Sequence, residues 1–187
     1  MPDNYYVLTG GPGSGKTTLL EALAQNGYLC IPEVAREIIS EQVQDNGTAL
    51  PWLDYVLYTE IMLERSVLSY VETAKKYTAN QPVFFDRGIP DTLCYAELTK
   101  QPITEKMTTY AREYRYNRNV FILPPWEAIY HTDTERKQSW EEAVATYEQM
   151  VKTYRQHGYS IIEVPKDTVE NRLAFILRHT KAASENI

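Results

Sequence analysis

Apolar residues along this chain follow two rhythms. Short, nearly uninterrupted runs recur at Tyr5-Tyr6-Val7-Leu8-Thr9, Tyr28-Leu29-Cys30-Ile31, Pro82-Val83-Phe84-Phe85-Asp86, Asn119-Val120-Phe121-Ile122-Leu123 and Ser160-Ile161-Ile162-Glu163-Val164. Runs this short, apolar on both sides and bounded by Pro, Gly or Asn, predict strands buried between two layers. Between them the spacing turns helical. Residues 17–24 are strong helix formers stopped by Asn26-Gly27; a second helix follows Pro32 through Gln44 and breaks at Asp45-Asn46-Gly47. A longer helix is predicted from about Pro51 to Tyr77, with Leu53, Val56, Leu57, Ile61, Leu68 and Val71 on one face as core. One or two helices fill 91–116. Trp140, Val144, Tyr147, Val151 and Tyr154 then mark another, closed by His157-Gly158, and Val169, Leu173, Ile176 and Leu177 mark the last. Strands alternating with helices predict an α/β fold: a five-stranded parallel sheet with helices on both faces and right-handed crossovers. Ligands of such sheets bind beyond the carboxyl ends of the strands.

Length and composition narrow the setting. The 187 residues suit one domain spanning 1–187, and a net charge of −6 disfavours a broad nucleic-acid face, so a small-molecule partner is expected. Cys30 and Cys94 lack the spacing of a zinc or redox site, and no apolar run is long enough for a membrane span. A reducing cytoplasm is the expected compartment, and Lys181 to Ile187 are expected to fray.

The first strand leads into Gly10-Gly11-Pro12-Gly13-Ser14-Gly15-Lys16-Thr17, a complete GxxxxGK[ST] loop opening a helix. Its glycines let successive N–H groups face phosphate oxygens, at a helix N-terminus that itself favours anions. Gly11, Pro12, Gly13, Ser14, Gly15, Lys16, Thr17 and Thr18 are thus candidate nucleotide-binding residues, with Lys16 on the β/γ-phosphates and the Thr17 hydroxyl on Mg²⁺. No [NT]KxD guanine motif is present, so ATP is the expected nucleotide.

Three further places can carry chemistry. Asp86 closes an apolar strand, as does a carboxylate that holds Mg²⁺ directly or through water; a helix-capping or turn aspartate is the alternative. Arg87 follows it, where hydrolytic motors usually carry a Glu that activates water, and an arginine binds phosphate without taking a proton. Phosphoryl transfer is favoured over hydrolysis on this ground. Glu33, after the second strand, is placed to orient or deprotonate an acceptor hydroxyl, or else to complement a helix dipole behind Pro32, and Arg36 one turn on either pairs with it or meets an acceptor. Residues 131–138, His-Thr-Asp-Thr-Glu-Arg-Lys-Gln, sit where a cationic lid belongs, with Arg136 the first choice for the cation and Lys137 the second; a solvated loop of mixed sign is the alternative. Arg112, Arg115 and Arg118, interleaved with Tyr110, Tyr114 and Tyr116, either clamp phosphate and stack a base or form the polar side of a helix.

On these residues the chain resembles a family of small bacterial P-loop proteins catalogued as AAA-type ATPases. The resemblance is carried by residues 8–18, by Pro32-Glu33-Val34-Ala35-Arg36-Glu37, by Phe85-Asp86-Arg87-Gly88-Ile89-Pro90-Asp91, by Pro124-Pro125-Trp126 and by Asp133 through Gln138. That family is similar to ribosylnicotinamide kinase domains and, more distantly, to deoxynucleoside and thymidylate kinases. The resemblance implies a sheet order 2-3-1-4-5, Mg-ATP as phosphoryl donor, Glu33 near the acceptor or metal, and Arg87 near the acceptor or the transferred phosphoryl. The expected function is transfer of the γ-phosphoryl of ATP to a small, nucleoside-like acceptor. The alternatives are an ATPase or nucleotide-dependent switch acting on a protein partner, and a polynucleotide 5′-kinase that uses the Arg112 to Arg118 run.

Overall fold

The computed structural model describes residues 3–77, 81–130 and 139–184, with side chains described through Thr180. Its described elements, in chain order, are β1 (Tyr5–Gly10), α1 (Lys16–Gln25), β2 (Leu29–Ile31), α2 (Val34–Gln44), α3 (Tyr55–Lys76), β3 (Val83–Asp86), α4 (Ile89–Leu98), α5 (Glu105–Glu113), β4 (Asn119–Leu123), a 3-10 turn (Glu127–Ile129), α6 (Trp140–Gln156), β5 (Ser160–Glu163) and α7 (Val169–Ser184). Every strand pairing is parallel and the sheet order is β2-β3-β1-β4-β5, as expected.

Alternation along β1 divides the core. Tyr5 and Val7 join Val83 and Phe85 of β3 under Leu63 and Tyr70 of α3, Ile89 and Leu93 of α4 and Met107 of α5. Tyr6 and Leu8 face the other way, against Leu19, Leu20 and Leu23 of α1 and Ile176 of α7. Helices thus cover both faces, and α2 packs on α3 through Ile38, Tyr58 and Met62. After β1 the chain builds β2 and β3 on one side, then β4 and β5 on the other. The reversal opens a crevice above the carboxyl end of β1, between β3 and β4.

The long helix differs from its predicted form. It begins at Tyr55, because Leu50 to Asp54 close a turn and the Asp54 carboxylate caps the Leu57 N–H at 3.0 Å. Its predicted apolar face is not the buried one: Leu53, Val56, Leu57 and Leu68 are exposed, and only Ile61 and Val71 pack partly inward. Tyr58, Thr59, Met62, Leu63, Tyr70 and Thr73 fill the inward face instead. The hydroxyls of Thr59, Ser66 and Thr73 each donate to the carbonyl four residues back at 2.7 Å, so these polar positions meet the core already satisfied. The segment 91–116 forms two helices, α4 and α5, separated by Thr99 to Thr104. At the other end α7 runs on to Ser184, into the stretch expected to fray. Among the described residues both cysteines are free thiols, and no helix is long and apolar enough to cross a membrane.

Candidate functional site

The loop after β1 is shaped for phosphate. Gly13 and Gly15 hold left-handed backbone at φ 75° and 80°, and a Cβ on either would lie 2.8 Å from a neighbouring side chain, the Tyr130 ring or Arg172 Nη1. Gly15 is the N-cap of α1 and supplies no side-chain cap, and the first turn carries no acid, so an anion finds no competing carboxylate there. The loop is braced from beneath by Ser14 Oγ, which donates to Gly11 O at 2.8 Å, and by Arg172, which donates to Ser14 O at 3.1 Å.

Lys16 turns inward and is 6% exposed. Its ammonium pairs with the Asp86 carboxylate at the end of β3 and stands 3.8 Å from Glu33 Oε2. Register places Asp86 directly beside Leu8 of β1, which is why the end of β3 meets the start of the loop. Glu33 accepts from Arg87 Nε at 2.6 Å on one oxygen and from Arg36 Nε at 3.3 Å on the other. Arg87 in turn reaches Asp91 through Nη1 at 3.3 Å. The expected residues Lys16, Glu33, Asp86 and Arg87 therefore form one network, with Arg36 at its exposed rim.

Electrostatics follow from burial and pairing. Desolvation would raise the Glu33 carboxyl, but the Arg87 and Lys16 charges overcome it and hold it down at about 2. For Asp86 desolvation prevails and pushes the carboxyl up, while Lys16 is drawn below its ordinary value by desolvation and then by the Arg87 charge. Both members of the Lys16–Asp86 pair are thus held in a medium that penalises their charge.

Thr17 and Thr18 are exposed on the first turn of α1. The Thr17 hydroxyl, on the first turn of α1, and the Asp86 carboxylate, at the end of β3, are hard oxygen donors of the kind Mg²⁺ takes. Among the described residues no cluster of three or more His, Cys, Asp or Glu is arranged for a metal by itself. Arg136 and Lys137, with the rest of 131–138, lie outside the described residues. Arg112, Arg115 and Arg118 are not brought to the site. They precede β4, at the end of the sheet opposite the loop, where Arg115 donates to His157 O at 2.7 Å and lies 3.9 Å over the Tyr159 ring. Tyr116 is buried in the core and cannot stack a base.

Asp91 and Arg172 are the residues that sequence reasoning passed over. Asp91 entered only as the last residue of the Phe85 to Asp91 stretch that carries the resemblance, with no role given to it; it caps α4, and its other partners include Thr9 of β1 and Tyr154 of α6. Arg172 had a signal: it falls on the apolar stripe of Val169, Leu173 and Ile176, where a charge needs a reason. Its reasons are Ser14 O and the Trp126 ring, 5.7 Å from its guanidinium carbon.

A GxxxxGK[ST] loop between the first strand of a parallel 2-3-1-4-5 sheet and its helix defines a protein of P-loop NTPase fold. The chain belongs to the AAA domain family, whose sequence pattern it matches over residues 5–172. No curated protein sequence matches it. Among solved structures it is similar to the NadR protein in complex with NR, at TM-score 0.71 and 18% identity over 99% of this chain and 52% of that one. It is also similar to deoxyadenosine kinase from M. mycoides with products dCMP and dCDP bound, at TM-score 0.60 and 17% identity over 95% of this chain and 99% of that one. Thymidylate kinase from Ehrlichia chaffeensis aligns at TM-score 0.59 and 15% identity, over 96% and 98% of the two chains. The chain spans about half the length of NadR.

Proposed function

We propose that this protein transfers the γ-phosphoryl of Mg-ATP to a hydroxyl of a small, nucleoside-like acceptor. The observation that carries the reading is the single network joining Lys16 of the phosphate loop, through Glu33, to Arg87. A donor-side lysine and an acceptor-side carboxylate that share one junction suit transfer between two bound molecules. The residue after Asp86 is a cation, which stabilises a phosphoryl group in flight and cannot activate water.

In the reaction the acceptor oxygen forms a bond to Pγ, the bond from Pγ to the β–γ bridging oxygen breaks, ADP leaves and the acceptor proton is released. On ATP binding Lys16 exchanges Asp86 for the β/γ-phosphates. Asp86 and Thr17 would hold Mg²⁺, which when bound neutralises charge on the phosphates. Glu33, held ionised by Arg87 and Lys16, accepts the hydrogen bond of the acceptor hydroxyl and aligns it. So weak a base receives the proton late, which suits a loose transition state that asks mainly for positioning and charge. Arg136 is the proposed lid cation. Around Glu33 and Arg87, Val34, Ala35, Met62, Phe85 and Tyr116 line a recess of about 20 Å³, room for one water. An acceptor of nucleoside size enters when α2 and α3 draw back from β3.

Incubation with γ-labelled Mg-ATP and a panel of nucleosides, ribosylnicotinamide and nucleotides tests this reading. A labelled acceptor is expected, and turnover of ATP that labels none of them would contradict it. One observation favours a nucleotide-dependent switch instead: Trp52, Leu53, Tyr55, Val56 and Leu57 are exposed together, a surface of the kind that docks another protein. That reading expects a nucleotide-dependent partner and no transfer.

A further inference from the structure

Asp91 is 7% exposed and accepts four hydrogen bonds. Oδ1 takes the Thr9 hydroxyl at 2.5 Å and Arg87 Nη1 at 3.3 Å; Oδ2 takes the Gly88 N–H at 2.8 Å and the Tyr154 hydroxyl at 2.5 Å. Capping of α4, with Asp91 as the third helical residue reaching back to the N-cap N–H, accounts for the Gly88 bond alone. The other three bonds tie together Thr9, the residue before the phosphate loop; Tyr154, buried on α6; and the Arg87 guanidinium. Arg87 itself carries a left-handed backbone at φ 70°, a conformation that a side chain adopts only when its surroundings hold it there. Its backbone N–H is fixed on Leu8 O at 3.0 Å, and its side chain is stretched between Glu33 and Asp91.

From this geometry we infer that Asp91 is a positioning residue, which anchors Arg87 to the phosphate-loop strand so that its guanidinium stays at the donor–acceptor junction when Glu33 turns to the acceptor. The inference rests on the phosphotransferase reading for its catalytic consequence, but the anchoring itself is a property of the protein alone. A carboxylate accepts from all four at once, and two of them, the Arg87 guanidinium and the Gly88 N–H, can only donate. An amide offers one acceptor atom, so Asp91→Asn can keep its oxygen on Gly88 and Tyr154 while its NH₂ faces Arg87 and Thr9. That substitution preserves the helix cap and removes the anchor.

The test is a double-mutant cycle on the full chain, with γ-labelled ATP and a mixture of deoxyribonucleosides and ribosylnicotinamide as probes, alongside the NMR signal of the Arg87 Nη1 hydrogens that face Asp91. Asp91→Asn is expected to lower turnover about 30-fold with the KM for ATP changed less than about 3-fold, and to have no further effect in an Arg87→Ala background. The Nη1–H signal, protected in the wild type by Asp91, is expected to be lost to exchange in Asp91→Asn. Tyr154→Phe removes one donor without touching the cap; it is expected to weaken that protection and lower turnover about 5-fold, so a poorly folding Asp91→Asn leaves the inference open to refutation. Equal losses in both backgrounds, or a signal that stays protected in both variants, would overturn it. A wild-type protein that labels none of the probes would overturn the phosphotransferase reading, and the NMR signal would then decide the anchor by itself.

Discussion

Glu33 is the residue on which the proposed chemistry turns, because Arg87 and Lys16 meet on it. Glu33→Gln is expected to lower transfer about 100-fold or more while ATP binding stays within a few fold; transfer at wild-type rate would remove Glu33 from the mechanism. Its charge also contributes to folding. The carboxyl has its ordinary value of 4.5 in the unfolded chain and about 2 in the fold, so its contribution is complete above 4.5 and is lost as pH falls toward 2. Urea unfolding should therefore find wild type and Glu33→Gln furthest apart at about pH 6 and closer at about pH 3.5, and a gap that widens on acidification would contradict this sign. The same scale shows what a sequence conveys. Gly10 to Thr17 was legible because eight consecutive residues hold the whole device, and Asp86 because it ends an apolar strand. The Asp91 anchor was not, since its donors lie 82 and 63 residues away, nor was Arg172, whose contact with Ser14 spans 158.

At the scale of elements, strands were read to within about one residue because Pro, Gly and Asn bound each apolar run. The face of α3 was misread for a physical reason. Tyrosines and hydroxyls bonded to their own helix went inward beside Leu63, while Leu57 and Leu68 stayed out. The two faces predict different costs. Leu63→Ala, in the core under the sheet, is expected to cost about 2–5 kcal/mol in denaturant unfolding. Leu68→Ala, at an exposed position, should fall within about 0.5 kcal/mol, and equal costs would restore the predicted face. The water-sized recess beside Glu33 sets a second expectation for α2 and α3. Acceptor binding should change amide exchange in α2 and the adjoining half of α3 more than in α1 or α7, and no change there would show that the acceptor binds elsewhere.

For the whole molecule, the GxxxxGK[ST] loop and the parallel 2-3-1-4-5 sheet agree on a P-loop NTPase fold. ATP at about 100 times its Kd, with Mg²⁺, should stabilise the fold by about 2.7 kcal/mol, and Lys16→Ala should abolish most of that gain in a thermal shift. What the nucleotide is used for is settled by the destination of its terminal phosphoryl group. Under single turnover with γ-labelled Mg-ATP and the acceptor panel, label is expected in a phosphorylated small molecule, with inorganic phosphate the minor product. Label recovered only as inorganic phosphate would contradict the account.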